Sequence, residues 1–300
     1  MSRTRDLVAD LRRRMGQDDP MPEVPPLPTI PPPPMRVFPV EHKRSRFADK
    51  AAKHTTALVG IGHVGTRYAT DVVLQFQAEL AVAHEAVAAE LPDGWAEQQG
   101  LLALESRVGS HREFLLRPDL GRRLSEQSLA RLQVDALRGI DVQLILADGL
   151  SAVACMGSGV ELLNHLARDC EALGLRVGTK VCAKFARVWI QDEIGQETQA
   201  KVAVILLGER PGLGTGDGLS AYMVYEPRVG NTDGDRNMMS NIHQRGTPPQ
   251  QAARRLALLA AAMIEQGTSG VDLDLSQLAD LGLDDGYRAP QVREQLVEKG

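Results

Sequence analysis

The sequence predicts an α/β protein: an open, mostly parallel sheet flanked by helices (Rossmann/flavodoxin-like), preceded by a small helical domain and a proline-rich N-terminal arm. Three observations carry that prediction. Asp141 to Ala147 (DVQLILA) and Lys201 to Leu207 (KVAVILL) are short, mostly apolar runs suited to buried strands. Stretches of helical periodicity alternate with these runs. Of the 17 prolines, ten fall between Pro20 and Pro39, which sets an extended arm apart from the body.

Taken in order, residues 3–15 place Leu7, Val8, Leu11 and Met15 on one helical face, with arginines opposite. The polyproline spacer follows, and residues 1–56 are read as an arm. This arm carries 11 basic and 7 acidic residues, whereas the remainder has a net charge of −9. Residues 57–139 read as a helical domain. Val72, Val73, Phe76, Leu80, Ala83 and Val87 recur at helical spacing, and Pro92-Asp93-Gly94 ends the run. A second helix follows Ser125 with Leu129, Leu132 and Ala136 on one face, while 111–116 is ambiguous and 117–121 reads as a loop.

Residues 140–270 read as the α/β domain. The strand at 141–147 leads into Asp148-Gly149-Leu150-Ser151, and Ser158-Gly159-Val160-Glu161 has the form of a capping box opening a helix that stops at Gly174. Candidate strands lie near 180–187 and at 219–226, flanking the clear strand at 201–207. A long helix starts at Thr247-Pro248-Pro249, presents Ala252, Leu256, Leu259 and Met263, and stops at Gly267. Residues 271–300 form a tail. Ligands of open α/β sheets sit outside the carboxyl ends of the strands, which points at Asp148–Ser151 and at the glycine-rich Gly208–Gly218.

Composition narrows the function classes. With 43% apolar and 24% charged residues the chain is of ordinary globular make-up. A net charge of −5 and 4% aromatics disfavour nucleic-acid binding. No run of about 18 uncharged apolar residues exists to span a membrane, and no signal-peptide pattern is present. Three cysteines without CxxC spacing suggest a reducing compartment and no structural zinc, so a cytoplasmic protein is expected.

Five glycines after a buried strand at 208–218 let the backbone approach a large flat ligand, or merely make a flexible connection. Gly216-x-Gly218-x-x-Ala221 imitates a dinucleotide fingerprint but precedes a strand instead of a helix, and is rejected. Asn241-x-His243-x-x-Gly246 is one residue from a cobalt-ligating D-x-H-x-x-G pattern. It lacks the carboxylate that would tune the imidazole, so His243 is read as a loop residue. Neither a nucleophile–base pair nor a metal cluster emerges, and from the residues alone no reaction is assigned.

Several segments together resemble one family. Arg117 to Leu124 is similar to its RPDxGRRL, Asp148 to Ser151 to its DGLS, and Val204 to Gly214 to its VxLxGERPGLG. Tyr225 to Arg228 resembles its YxPR, and Asp235 to His243 its DRxxxSNI(H). The family is the small (light) subunit of ethanolamine ammonia-lyase, and the resemblance runs from about Ala57 to Gly270.

The resemblance implies a large partner subunit with a β/α barrel and a higher hetero-oligomer. The small subunit closes an adenosylcobalamin site against the barrel for radical conversion of ethanolamine to acetaldehyde and ammonia. The cofactor keeps its own base on cobalt, so the resemblance implies no metal ligand and no catalytic residue in this chain. It does imply cofactor contacts at Val188, Glu209 and Met238. Met238 stands where the family often has Cys, and His63 stands where a GRAG pattern has Arg. A competing reading is a stand-alone corrinoid or nucleotide carrier. The N-terminal helix on its proline tether is similar to peptides that dock enzymes inside bacterial microcompartment shells, with a solubility arm as the alternative.

Overall fold

In the computed structural model the described residues are 46–51, 63–213, 216–244 and 246–276. The N-terminal helix, the proline spacer and most of the tail lie outside them. A short helix (Arg46–Ala51) and a small hairpin of β1 (His63–Val64) and β2 (Arg67–Tyr68) come first. The main sheet has six strands: β3 (Leu102–Glu105), β4 (Val142–Ala147), β5 (Val181–Lys184), β6 (Val202–Gly208), β7 (Leu219–Tyr225) and β8 (Arg236–Ile242). Their order is β3-β5-β4-β6-β7-β8. The first four run parallel, and β7 and β8 extend the sheet antiparallel. The predicted α/β class, with a mostly parallel sheet flanked by helices, is therefore the observed one.

Every residue of β4 is buried, Gln143 included, as a mostly apolar strand covered on both faces requires. Side-chain alternation along β4 and β6 feeds two cores. Val142, Leu144, Leu146, Val202, Val204 and Leu206 face the core built with helices Val160–Ala172 and Pro249–Gln266. Ile145, Ala147 and Ile205 face the opposite core, where Leu132, Ile190 and Ile194 arrive from helices Glu126–Asp135 and Ile190–Glu197. A strand's two-residue period thus places helices on both faces.

Three sequence expectations are corrected. Segment 57–139 is not wholly helical: Leu102–Glu105 pairs in parallel with β5 as the edge strand of the main sheet. At four residues it is too short to show a period in the sequence. The helix at Thr70–Ala88 exists, yet of the six apolar residues recurring at helical spacing only Val72 and Ala83 are buried, while Val73 and Leu80 are exposed. Its apolar stripe is wider than the surface this chain offers it. The helix after β4 starts earlier than the capping box at Ser158 suggests. Ser151 is its N-cap, accepting from the Ala154 N–H at 3.1 Å, and the chain passes through a π turn at Cys155–Gly159 into Val160–Ala172. Segment 236–242, to which the sequence reading assigns no element, forms β8.

Candidate functional site

The carboxyl ends of β4, β5 and β6 converge with β7 and β8 on one open cleft of about 670 Å³. Gly149, Leu150, Leu207 and Gly208 line it where the ends of β4 and β6 cross. Gly149 adopts φ +55°, and a Cβ there would stand 2.5 Å from the Gly208 carbonyl oxygen. A Cβ on Gly208 would in turn lie 2.4 Å from the Asp148 oxygen. The Leu150 N–H donates to Gly208 O at 3.0 Å, which seals this crossing of strand ends. Only glycine allows the two strand ends so close an approach.

Asp148 fixes the adjoining wall. Its carboxylate accepts from the N–H groups of Phe185 at 2.8 Å and Ala186 at 3.2 Å, tying the end of β4 to the loop that carries Arg187, Val188 and Trp189. Phe185 sits at φ +53°, a left-handed conformation that this carboxylate holds in place. Burial pushes the Asp148 carboxyl up to about 6, against the pull of these N–H donors. Ser151, besides capping its helix, donates to Gly216 O at 3.0 Å and so anchors the glycine-rich loop. The DGLS turn is structural in every contact it makes, and it shapes the cleft through the backbone.

Glu209 leaves the end of β6 half-buried. Its Oε1 accepts from Ser220 Oγ at 2.5 Å and from the Asn241 N–H at 3.0 Å. Among the described residues Oε2 has no hydrogen-bond donor, so one carboxylate oxygen is positioned and the other is available. Met238, on β8, is 55% exposed toward the cleft, and half-buried Val188 lines the facing wall. The structure therefore brings Val188, Glu209 and Met238, drawn from three separate segments, into one cavity. A bulge between Leu219 and Ala221 of β7 and their β8 partners, with Asn241 at φ +60°, re-aims the end of β8 here.

The RPDxGRRL segment divides by role. Arg117 pairs with Asp119 at 2.7 Å in solvent. Arg123 donates twice to Glu193 Oε1, and Glu193 Oε2 accepts from the Leu124 N–H at 2.6 Å, which clamps the segment to helix Ile190–Glu197. Arg122 faces the cleft with its guanidinium 4.5 Å from the ring centre of Trp189. Trp189 is held in turn by donating to Asp233 at 2.7 Å. Beneath, Arg236 of β8 makes a two-pronged 2.7 Å pair with Asp192, both 3% exposed. Burial raises the Asp192 carboxyl, and Arg236 opposes that rise. Trp189, Arg187, Tyr222 and Ser240 were missed by sequence reasoning. Their one signal was proximity to recognised motifs, since the cleft is assembled from residues far apart in the chain.

His243 follows β8 and is buried, its Nε2 lying 2.6 Å from Asn241 Oδ1. It does not line the cleft. The side chain of His63 and the region 52–62 lie outside what the structure describes. Among the described residues no group of three His, Cys, Asp or Glu side chains could hold a metal ion, and no helix is long and apolar enough to cross a membrane.

Residues 46–274 match the family model for the ethanolamine ammonia-lyase light chain (EutC). The chain belongs to this family. That match takes in the sheet, both cores and every residue lining the cleft, and identifies a light chain of a lyase of ethanolamine catabolism whose family implies a large-subunit partner.

Proposed function

We propose that this light chain closes an adenosylcobalamin site against a β/α-barrel large subunit, and that the two together convert ethanolamine to acetaldehyde and ammonia. The observation that carries the reading is the convergence of Val188, Glu209 and Met238 on one cleft at the carboxyl edge of the sheet, in a chain of this family. The residues present suit such a group. The cleft of about 670 Å³ can meet one face of a broad flat macrocycle, exposed Met238 and half-buried Val188 offer apolar contact, and the available Glu209 oxygen can accept from an amide N–H. The cleft is also open and suited to covering one face of a cofactor, with the other left to a partner.

When bound, adenosylcobalamin supplies the radical chemistry that ethanolamine deamination needs. The work of this chain is positional. Asp148 holds the 185–189 loop, Ser220 and the Asn241 N–H orient Glu209, and the Arg236–Asp192 pair fixes β8 under Met238. These side chains exclude water from the covered face and carry no proton in the reaction. Exposed Val73, Leu74, Leu80 and Val82 on helix Thr70–Ala88 give apolar surface of the kind a partner subunit covers, which supports a hetero-oligomer. The cytoplasm, with enclosure in a microcompartment through the N-terminal helix, is the location proposed.

The test is retention of cofactor after gel filtration, followed by visible absorbance. The complex of this chain with its large subunit retains the corrinoid and the isolated chain does not. Equal retention by the isolated chain would favour a carrier.

A further inference from the structure

We infer that Arg122, Arg187 and Arg210 form a phosphate subsite at the rim of the cleft, which receives the phosphodiester of the cobalamin nucleotide loop. The inference rests on the functional reading above and adds to it a group-specific contact. All three arginines line the cleft, and among the described residues none has a carboxylate within ion-pair distance. That sets them apart from Arg117, Arg123 and Arg236, which are matched to Asp119, Glu193 and Asp192. Of the two carboxylates that line the cleft, Glu209 holds Ser220 and the Asn241 N–H through Oε1 and Asp233 accepts from Trp189, and among the described residues neither makes an ion pair with these arginines.

Arg187 is the most constrained of the three. Its Nη2 donates to the Phe114 carbonyl at 2.9 Å and its guanidinium lies 4.1 Å from the Phe114 ring centre. Among the described residues its buried Nε has no hydrogen-bond partner. A Cβ on Gly121 would stand 2.8 Å from Arg187 Cγ, so the RPDLGRRL segment is cut away to seat this side chain. Burial lowers the tendency of Arg187 to stay charged, and the fields of Arg122 and Arg210 lower it further. Three mutually repelling cations around a half-buried, under-satisfied guanidinium call for an oxyanion. Arg122 is pre-oriented on Trp189, so little entropy is lost when it closes on one.

The chemistry of the cofactor selects which oxyanion. The peripheral side chains of a corrin are neutral amides, whose carbonyls need one donor each and no excess charge. The phosphodiester of the nucleotide loop is the negatively charged group of cobalamin. Guanidinium forks match its oxygens in geometry as well as charge.

The experiment uses the complex of this chain with its large subunit and two probes: cyanocobalamin, and cyanoaquacobinamide, which has the corrin without the phosphodiester. Arg122→Gln and Arg210→Gln change exposed side chains, and Arg187→Gln tests the seated one. Each is expected to weaken cyanocobalamin binding about tenfold to a hundredfold, the loss of one charge-assisted hydrogen bond. Cobinamide affinity should stay within about twofold of wild type, which the same principle predicts for a probe without the charged acceptor. Equal weakening of both probes overturns the subsite. So does loss of subunit association with binding unchanged per assembled complex, which would make an acidic surface of the large subunit the arginines' partner. A wild-type complex that binds neither probe overturns the functional reading itself. The ³¹P resonance of bound cyanocobalamin is a second readout, independent of cobinamide affinity. It should move toward the free position in Arg122→Gln, and an unmoved resonance there contradicts the contact.

Discussion

Asp148→Asn tests how the cleft is held. In the fold the Asp148 carboxyl titrates near 6, against an ordinary 3.8, because burial disfavours its charge. The native state therefore keeps a proton that the unfolded chain has released between those two values, and stability contributed by this group falls as pH rises through the window. At about 1.4 kcal/mol per pH unit, the whole window is worth about 3 kcal/mol, of which about 2 kcal/mol lies between pH 4.5 and 7.0. Asparagine does not titrate. Its single carbonyl oxygen can serve only one of the Phe185 and Ala186 N–H groups, an offset of about 1 kcal/mol that does not change with pH. Carboxylates whose values are lowered, such as Asp141 beside Lys201, push in the opposite sense but equally in both proteins, so they cancel. Urea denaturation of the variant and wild type at the two pH values is the assay. The stability difference should move in favour of Asp148→Asn by about 2 kcal/mol on going from pH 4.5 to 7.0. A difference that is flat with pH, or that moves the other way, would refute the reasoning.

Arg236→Ala leaves Asp192 buried without its partner and should cost about 3–5 kcal/mol, measured by the denaturation midpoint. A loss below about 1 kcal/mol would mean the pair is dispensable. Glu209→Ala removes the acceptor for Ser220 and Asn241 at a strand end, outside both cores, so folding should persist while cofactor retention by the complex drops. Unchanged affinity by equilibrium dialysis would show that Glu209 is no contact. Deletion of residues 1–40 should leave turnover of the complex intact and abolish association with a shell. Precipitation of the truncated protein would instead identify a solubility arm.

The sequence was most legible where one physical demand dominated. β4 and β6 are apolar on both faces because helices cover both, and Gly267 ends the last helix at φ +66°. The glycine-rich turn after β6 was visible as a place of backbone approach, and its partner glycine at 149 explains why. β8 was illegible because its residues answer to different neighbours: Arg236 to a buried Asp192, Met238 to the cleft, and Asn241 to a bulge with positive φ. No alternation survives such mixed demands. The start of the helix at Ala152 was hidden by a second serine in capping register. Ser158 instead lies inside the π turn, its buried hydroxyl without a partner among the described residues. As for the site, Val188, Glu209 and Met238 came from family resemblance. The arginines could not be sorted into paired and unpaired until the fold set Glu193 against Arg123 and left Arg122 beside Trp189.

The central claim is that this chain completes an ethanolamine lyase only by closing a cobalamin site with its large subunit. Ammonia release from ethanolamine, measured with each of the two chains and the cofactor omitted in turn, tests it most directly. The account predicts turnover only when this chain, the large subunit and adenosylcobalamin are all present. Ammonia released at an undiminished rate without this chain, or without the cofactor, would contradict it.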